Sequence, residues 1–169
     1  MHFQHIDYSE VGGGLGRMMD RFMAEGTLTG DADEDAFIAA SPTAALLGLL
    51  YDQRVRAEIA FTGAKRLYDR LGHLDLETIA NMNEEALRDV FAQSPAVHRF
   101  SNKMSDTTQK VARIIVDKYG GEPERLWNDD APIKTVEKRL KALPGFGPGK
   151  AAKIKYVLHY FGFRDFSGA

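Results

Sequence analysis

The run Leu143-Pro144-Gly145-Phe146-Gly147-Pro148-Gly149-Lys150 constrains the chain most, because it sets three glycines and two prolines between two segments of helical apolar spacing. Val136, Leu140 and Leu143 recur at that spacing before it, and Ala151, Ala152, Ile154, Val157 and Leu158 after it. Pro144-Gly145 stops the first helix, since proline has no N–H to continue the ladder and glycine tolerates the turn. Pro148 suits the first turn of the second helix, where a missing donor costs nothing. The spacing therefore predicts helix, tight turn, helix. A turn carrying Gly145, Gly147 and Gly149 leaves backbone N–H groups uncovered at the positive end of a helix, so a phosphate can approach the main chain.

Charge follows the same segment. Between Lys134 and Lys155 seven basic residues face Glu137 alone, a local net of +6 in a chain whose formal net charge is −2. A polyanion meets the local sign rather than the total. Met1 to Asp35 is the opposite: Asp7, Glu10, Asp20, Glu25, Asp31, Asp33, Glu34 and Asp35 stand against Arg17 and Arg21.

Leu143 to Ala151 resembles the helix-hairpin-helix element of the HhH-GPD superfamily of base-excision DNA glycosylases, to which endonuclease III belongs. Ser41-Pro42 with Ala45 to Val55 is similar to the family's early helix and its glutamine-bearing loop, and Tyr119-Gly120-Gly121 also matches. The resemblance spans about residues 36–166. It is closest to a cysteine-free subfamily, and the absence of cysteine removes the thiolates that hold an iron–sulfur cluster in some relatives.

The rest of the chain reads as all-α, about ten helices in one compact HhH-GPD fold. It divides into an acidic N-terminal helical extension at residues 1–35 and a helical domain at residues 36–169, with the hairpin at 143–151. Leu15, Met18, Met19, Phe22 and Met23 form an apolar stripe on a helix over 15–24. Ser41-Pro42 is an N-cap and first-turn pair, and 44–51 is apolar enough to be buried on most sides. Ile59, Phe61, Ala64, Leu67, Tyr68 and Leu71 are the inward positions of a helix ending at Gly72. Short helices follow over 76–80 and 84–91. A polar and aromatic loop over 96–104 leads into a helix over 105–119, and Trp127 serves as a packing anchor. No apolar run is long enough to span a bilayer, and the start does not read as a signal peptide, so a cytoplasmic, nucleoid-associated protein is expected.

The resemblance implies a double-stranded DNA partner bearing a lesion or mismatch, bound by a monomer. It implies a backbone grip by Gly145, Phe146, Gly147, Gly149, Lys150 and Lys153, and Gln53 as the residue that enters the space of an extruded nucleotide. Phe100 or Met104 is the wedge, with Arg99 and Lys103 near phosphates. It implies a carboxylate that stabilises positive charge on the sugar, assigned first to Asp165 and otherwise to Asp52. The family's lyase lysine falls two residues after the second hairpin glycine, where this chain has Gly149. Lys150, turned about 100° further along a helix, is expected to point away from the pocket toward a phosphate or solvent. The resemblance also places a monovalent cation, K⁺ or Na⁺, on the carbonyls of Lys141, Leu143 and Phe146. A monofunctional glycosylase is the leading reading. A DNA-binding module that kept the hairpin and lost the pocket is the other.

Overall fold

The structure, a computed structural model, describes residues 2–168. Ten α-helices succeed one another: α1 (Gly13–Glu25), α2 (Ala32–Ala39), α3 (Pro42–Leu50), α4 (Ala57–Leu71), α5 (Leu76–Asn81), α6 (Glu84–Ala92), α7 (Ser101–Tyr119), α8 (Ile133–Lys141), α9 (Pro148–Ala151) and α10 (Ile154–Tyr160). A single 3₁₀ turn at Pro123–Leu126 joins α7 to α8, and there is no strand among the described residues.

Local chemistry explains most helix ends. The side chains of Asp31, Ser41, Asp75 and Asn83 accept hydrogen bonds from first-turn N–H groups of α2, α3, α5 and α6. Gly26, Gly72 and Gly120 close α1, α4 and α7 in the left-handed conformation. The axial element is α3, whose residues from Ala44 to Leu50 are all buried. It packs on α4, with further contacts to α2, α10 and the 3₁₀ turn. Gly48 allows that close approach, because a Cβ there would fall within the ring of Phe61. On the other side α5 and α6 lie against α7.

The acidic N-terminal segment shares this core: Leu15, Met18 and Met19 of α1 are fully buried, and α1 packs on α4. The extended arm before it crosses α10. There Tyr160 Oη donates to the Ile6 carbonyl at 2.9 Å, and Tyr8 Oη donates to Asp20 at 2.7 Å.

Two expectations about burial need correction. Ile59 is 51% exposed and Tyr68 is 38% exposed, because Ala57, Ala60, Phe61, Ala64 and Leu67 set the inward stripe of α4. Tyr68 instead packs edge-on against Phe37 at 5.0 Å. The helix expected over 105–119 begins at Ser101, since the Phe100 carbonyl already accepts the Met104 N–H at 2.9 Å. That earlier start carries Met104 into the core.

Candidate nucleic-acid interface

The glycine turn is anchored from below and open above. Leu143 and Phe146 are buried, while Gly145, Gly147 and Gly149 are exposed. The turn is closed by Leu143 N–H donating to the Leu140 carbonyl at 2.8 Å and Phe146 N–H donating to the Leu143 carbonyl at 3.3 Å. Gly145 has φ +86°, and a Cβ on it would sit 2.5 Å from Leu50 Cδ1 and 3.1 Å from Thr107 Cγ2. Glycine is thus required here by both conformation and space. Among the described residues the N–H groups of Gly145, Gly147 and Gly149 donate to no protein acceptor. The second hairpin helix, expected to be continuous, is broken: 3₁₀-type bonds from Lys153 N–H to the Lys150 carbonyl and from Tyr156 N–H to the Lys153 carbonyl, each 3.1 Å, separate α9 from α10.

Lys150 does not take the direction expected for it. Its ammonium reaches back to donate to the Leu50 carbonyl at 2.7 Å, at the C-terminal end of α3, and is half-buried. A helix C-terminus carries unsatisfied carbonyls and partial negative charge, so a lysine that can reach it is held there. Burial pushes the amine down to about 8, with Lys153 and Lys103 adding to the fall and Asp52 opposing it. Lys150 therefore binds fewer protons in the folded chain than in the unfolded chain between about pH 8 and about pH 10.4, and its contribution to stability rises with pH across that window. Denaturant unfolding of wild type and Lys150→Met over this range is expected to show wild type gaining relative to the variant; a constant difference would contradict the placement.

Asp52 is the carboxylate that joins this cluster. Its side chain is only 12% exposed and pairs with Lys153 at 3.4 Å. The acid is thus held by a lysine of the hairpin, and its charge opposes the fall in the Lys150 pKa. Asp165, first in the order of expectation, is not brought there. It lies beyond the end of α10, where neighbouring Arg164 donates to the carbonyls of Trp127 and Ala131 just before α8. That is the end of the α8–α10 pair opposite the glycine turn. Asp165 is exposed and accepts from the hydroxyl and N–H of Ser167, which hold its carboxyl below the usual range.

Two loops flank the hairpin. The loop after α3 carries half-buried Gln53 and then Arg54 in the left-handed region at φ +56°. The segment leading into α7 carries exposed Arg99, with Phe100 half-buried beneath its guanidinium at 5.1 Å, and the first turn of α7 carries exposed Lys103. Met104 is 1% exposed and has no surface from which to wedge. His98, which the sequence did not single out, joins the two loops. Its Nε2 is 3.0 Å from the Tyr51 carbonyl, and its Nδ1 accepts the Phe100 N–H at 3.0 Å. The only signal for it was a histidine placed between an apolar residue and Arg99 in the loop sequence.

A helical core, a glycine hairpin with open amides and a lysine-flanked acid define a nucleic-acid-binding fold with a recessed carboxylate. The sequence matches the HhH-GPD superfamily base excision DNA repair protein family over residues 47–156, and the chain belongs to that superfamily. No curated protein matches it. The matched region runs from α3 through the hairpin into α10, and so contains Asp52, Gln53, His98 and Lys150 but not Asp165.

Proposed function

We propose that the protein is a monofunctional DNA glycosylase that hydrolyses the N-glycosidic bond of a damaged or mispaired base, with Asp52 as the carboxylate beside the sugar. The observation that supports this most is the pairing of Asp52 with Lys153, just past the Leu50 carbonyl that holds Lys150, on a hairpin whose glycine amides are free to hold a phosphate. In this reading the hairpin grips the backbone of a lesion-bearing duplex, Gln53 fills the space left by the extruded nucleotide, and Phe100 rather than Met104 enters the stack. Arg99 and Lys103 lie near phosphates. As the base departs, positive charge grows on the sugar; the Asp52 carboxylate stabilises it and orients water for attack. Lys153 pairs with the Asp52 carboxylate in the free protein, and a DNA phosphate that draws Lys153 away would leave that carboxylate unpaired beside the sugar.

The same reading places a monovalent cation at the carbonyls of Lys141, Leu143 and Phe146. Those of Lys141 and Phe146 accept no bond outside the helices among the described residues, which fits such a role. An ion there would bridge the turn to a phosphate.

Incubation with duplexes carrying a panel of lesions, followed by alkali, is expected to yield strand breaks at one lesion class. Borohydride reduction during incubation with abasic duplex is expected to leave the protein unmodified, because Gly149 occupies the place of the family's lyase lysine. An adduct on Lys150 would overturn the monofunctional reading. The second reading, a non-catalytic DNA-binding module, draws on the Asp52–Lys153 pair itself, since an ion-paired acid can also be purely structural. It predicts salt-dependent binding with no lesion cleaved.

A further inference from the structure

His98 is a buried side chain that ties the two DNA-facing loops together. It is 4% exposed, sits in the segment that feeds α7, and makes one hydrogen bond with each ring nitrogen. The Phe100 N–H can only donate, so Nδ1 must be the acceptor and Nε2 must carry the proton that goes to the Tyr51 carbonyl. The ring is therefore the neutral Nε2–H tautomer. Burial holds its pKa below the ordinary value despite the opposing backbone bonds, with Lys150 of the hairpin and Arg99 adding to the fall. One face of the imidazole lies against Phe100 at 5.6 Å, and Tyr51 of α3 is on another side at 6.2 Å. A second link runs in parallel, from the Arg99 guanidinium to the Arg54 carbonyl at 3.3 Å.

We propose that His98 is a positioning residue that locks the Asp52–Gln53 loop to the Phe100 loop, so that both enter the duplex as one rigid unit. The inference rests on the reading of Gln53 and Phe100 given above. Its physical basis is that Tyr51 immediately precedes Asp52-Gln53, while Phe100 is both the bonded donor and the proposed wedge. Loops that moved independently would each lose conformational freedom on insertion; joined through one buried ring, they have already lost much of it before binding.

The two amide isosteres separate the two bonds. His98→Asn keeps an acceptor near the Nδ1 position for the Phe100 N–H and drops the link to Tyr51. His98→Gln keeps a donor near the Nε2 position for the Tyr51 carbonyl and drops the link to Phe100. Each is tested on duplex holding a tetrahydrofuran abasic analogue beside 2-aminopurine, whose fluorescence rises when neighbouring side chains unstack it. Wild type is expected to raise the fluorescence on binding. Both variants are expected to lose most of that rise and about tenfold in preference for abasic over undamaged duplex, the size of one buried hydrogen bond. Affinity for undamaged duplex, to which the untouched hairpin contributes, should fall by much less than affinity for the abasic duplex. A merely structural histidine would lower both affinities together.

Wild-type binding without a fluorescence rise would refute the insertion reading itself. A rise in wild type that either variant retains in full would overturn the clamp alone. Amide hydrogen exchange of wild type supplies a test that needs no variant to fold: on adding the abasic duplex, the Gln53 and Phe100 amides should gain protection together, and protection confined to one loop would also overturn the clamp.

Discussion

Asp52→Asn is expected to slow base release from a cleavable lesion duplex by about 10²- to 10⁴-fold, the range for loss of a positioned acid–base group. The substitution keeps shape and removes charge, so the fall isolates the electrostatic role at the sugar. Lys153 loses its partner but is 31% exposed and can turn to water or phosphate, so the fold should lose only about 1 kcal/mol or less. Affinity for abasic duplex should hold or tighten, because a negative charge beside the backbone has gone. Asp165→Asn should cleave like wild type, since that carboxylate is exposed and bonded within its own turn to Ser167. Single-turnover rates on the same lesion decide the matter. An active Asp52→Asn with an inactive Asp165→Asn would return the catalytic role to the C-terminal turn.

Gly145→Ala should damage both stability and DNA binding. Alanine resists φ +86°, and its methyl would meet Leu50 Cδ1 and Thr107 Cγ2, so the hairpin must lift from α3 and α7. Together the backbone and packing terms cost about 2–4 kcal/mol, or a melting point lower by about 5–15 °C for a chain of this size. Lifting the turn also shifts the Gly147 and Gly149 amides, and affinity for abasic duplex should fall with it. Gly147→Ala supplies the contrast. Its φ of −79° suits any residue and a Cβ there has nothing within 4 Å, so it should fold normally. If a phosphate packs against the turn, however, that new methyl stands in its way and should weaken binding without lowering the melting point. Equal melting points for the two variants would contradict the docking of the turn on α3.

What the sequence made legible was local. Ser41-Pro42 capping α3, the buried run from Ala44 to Leu50 and the open glycines all follow from residues within a few positions of one another, although α8 ends at Lys141, before the Pro144-Gly145 stop. Contacts between distant segments were not legible. Lys150 differs from Gly149 in helical phase, as read, but the end of α3 lies in that direction, a hundred residues back in the chain. The sequence ranks Asp52 behind Asp165 because nothing near it in the chain supplies Lys153. Met104 reads as a wedge only if α7 begins after it; the Phe100 carbonyl starts the helix earlier and turns Met104 inward. Asp165 matched by rough spacing, whereas its position is decided by Arg164 reaching the carbonyls before α8.

The central claim is that the open amides of the glycine turn hold the sugar-phosphate strand. Titrating isotope-labelled protein with duplex containing an abasic analogue at low ionic strength, while following backbone amide resonances, tests it most directly. The amides of Gly145, Gly147 and Gly149 should move most and saturate together, and the effect should fade as salt screens the phosphates. Binding that leaves those three resonances in place, or no binding at all, would contradict the account.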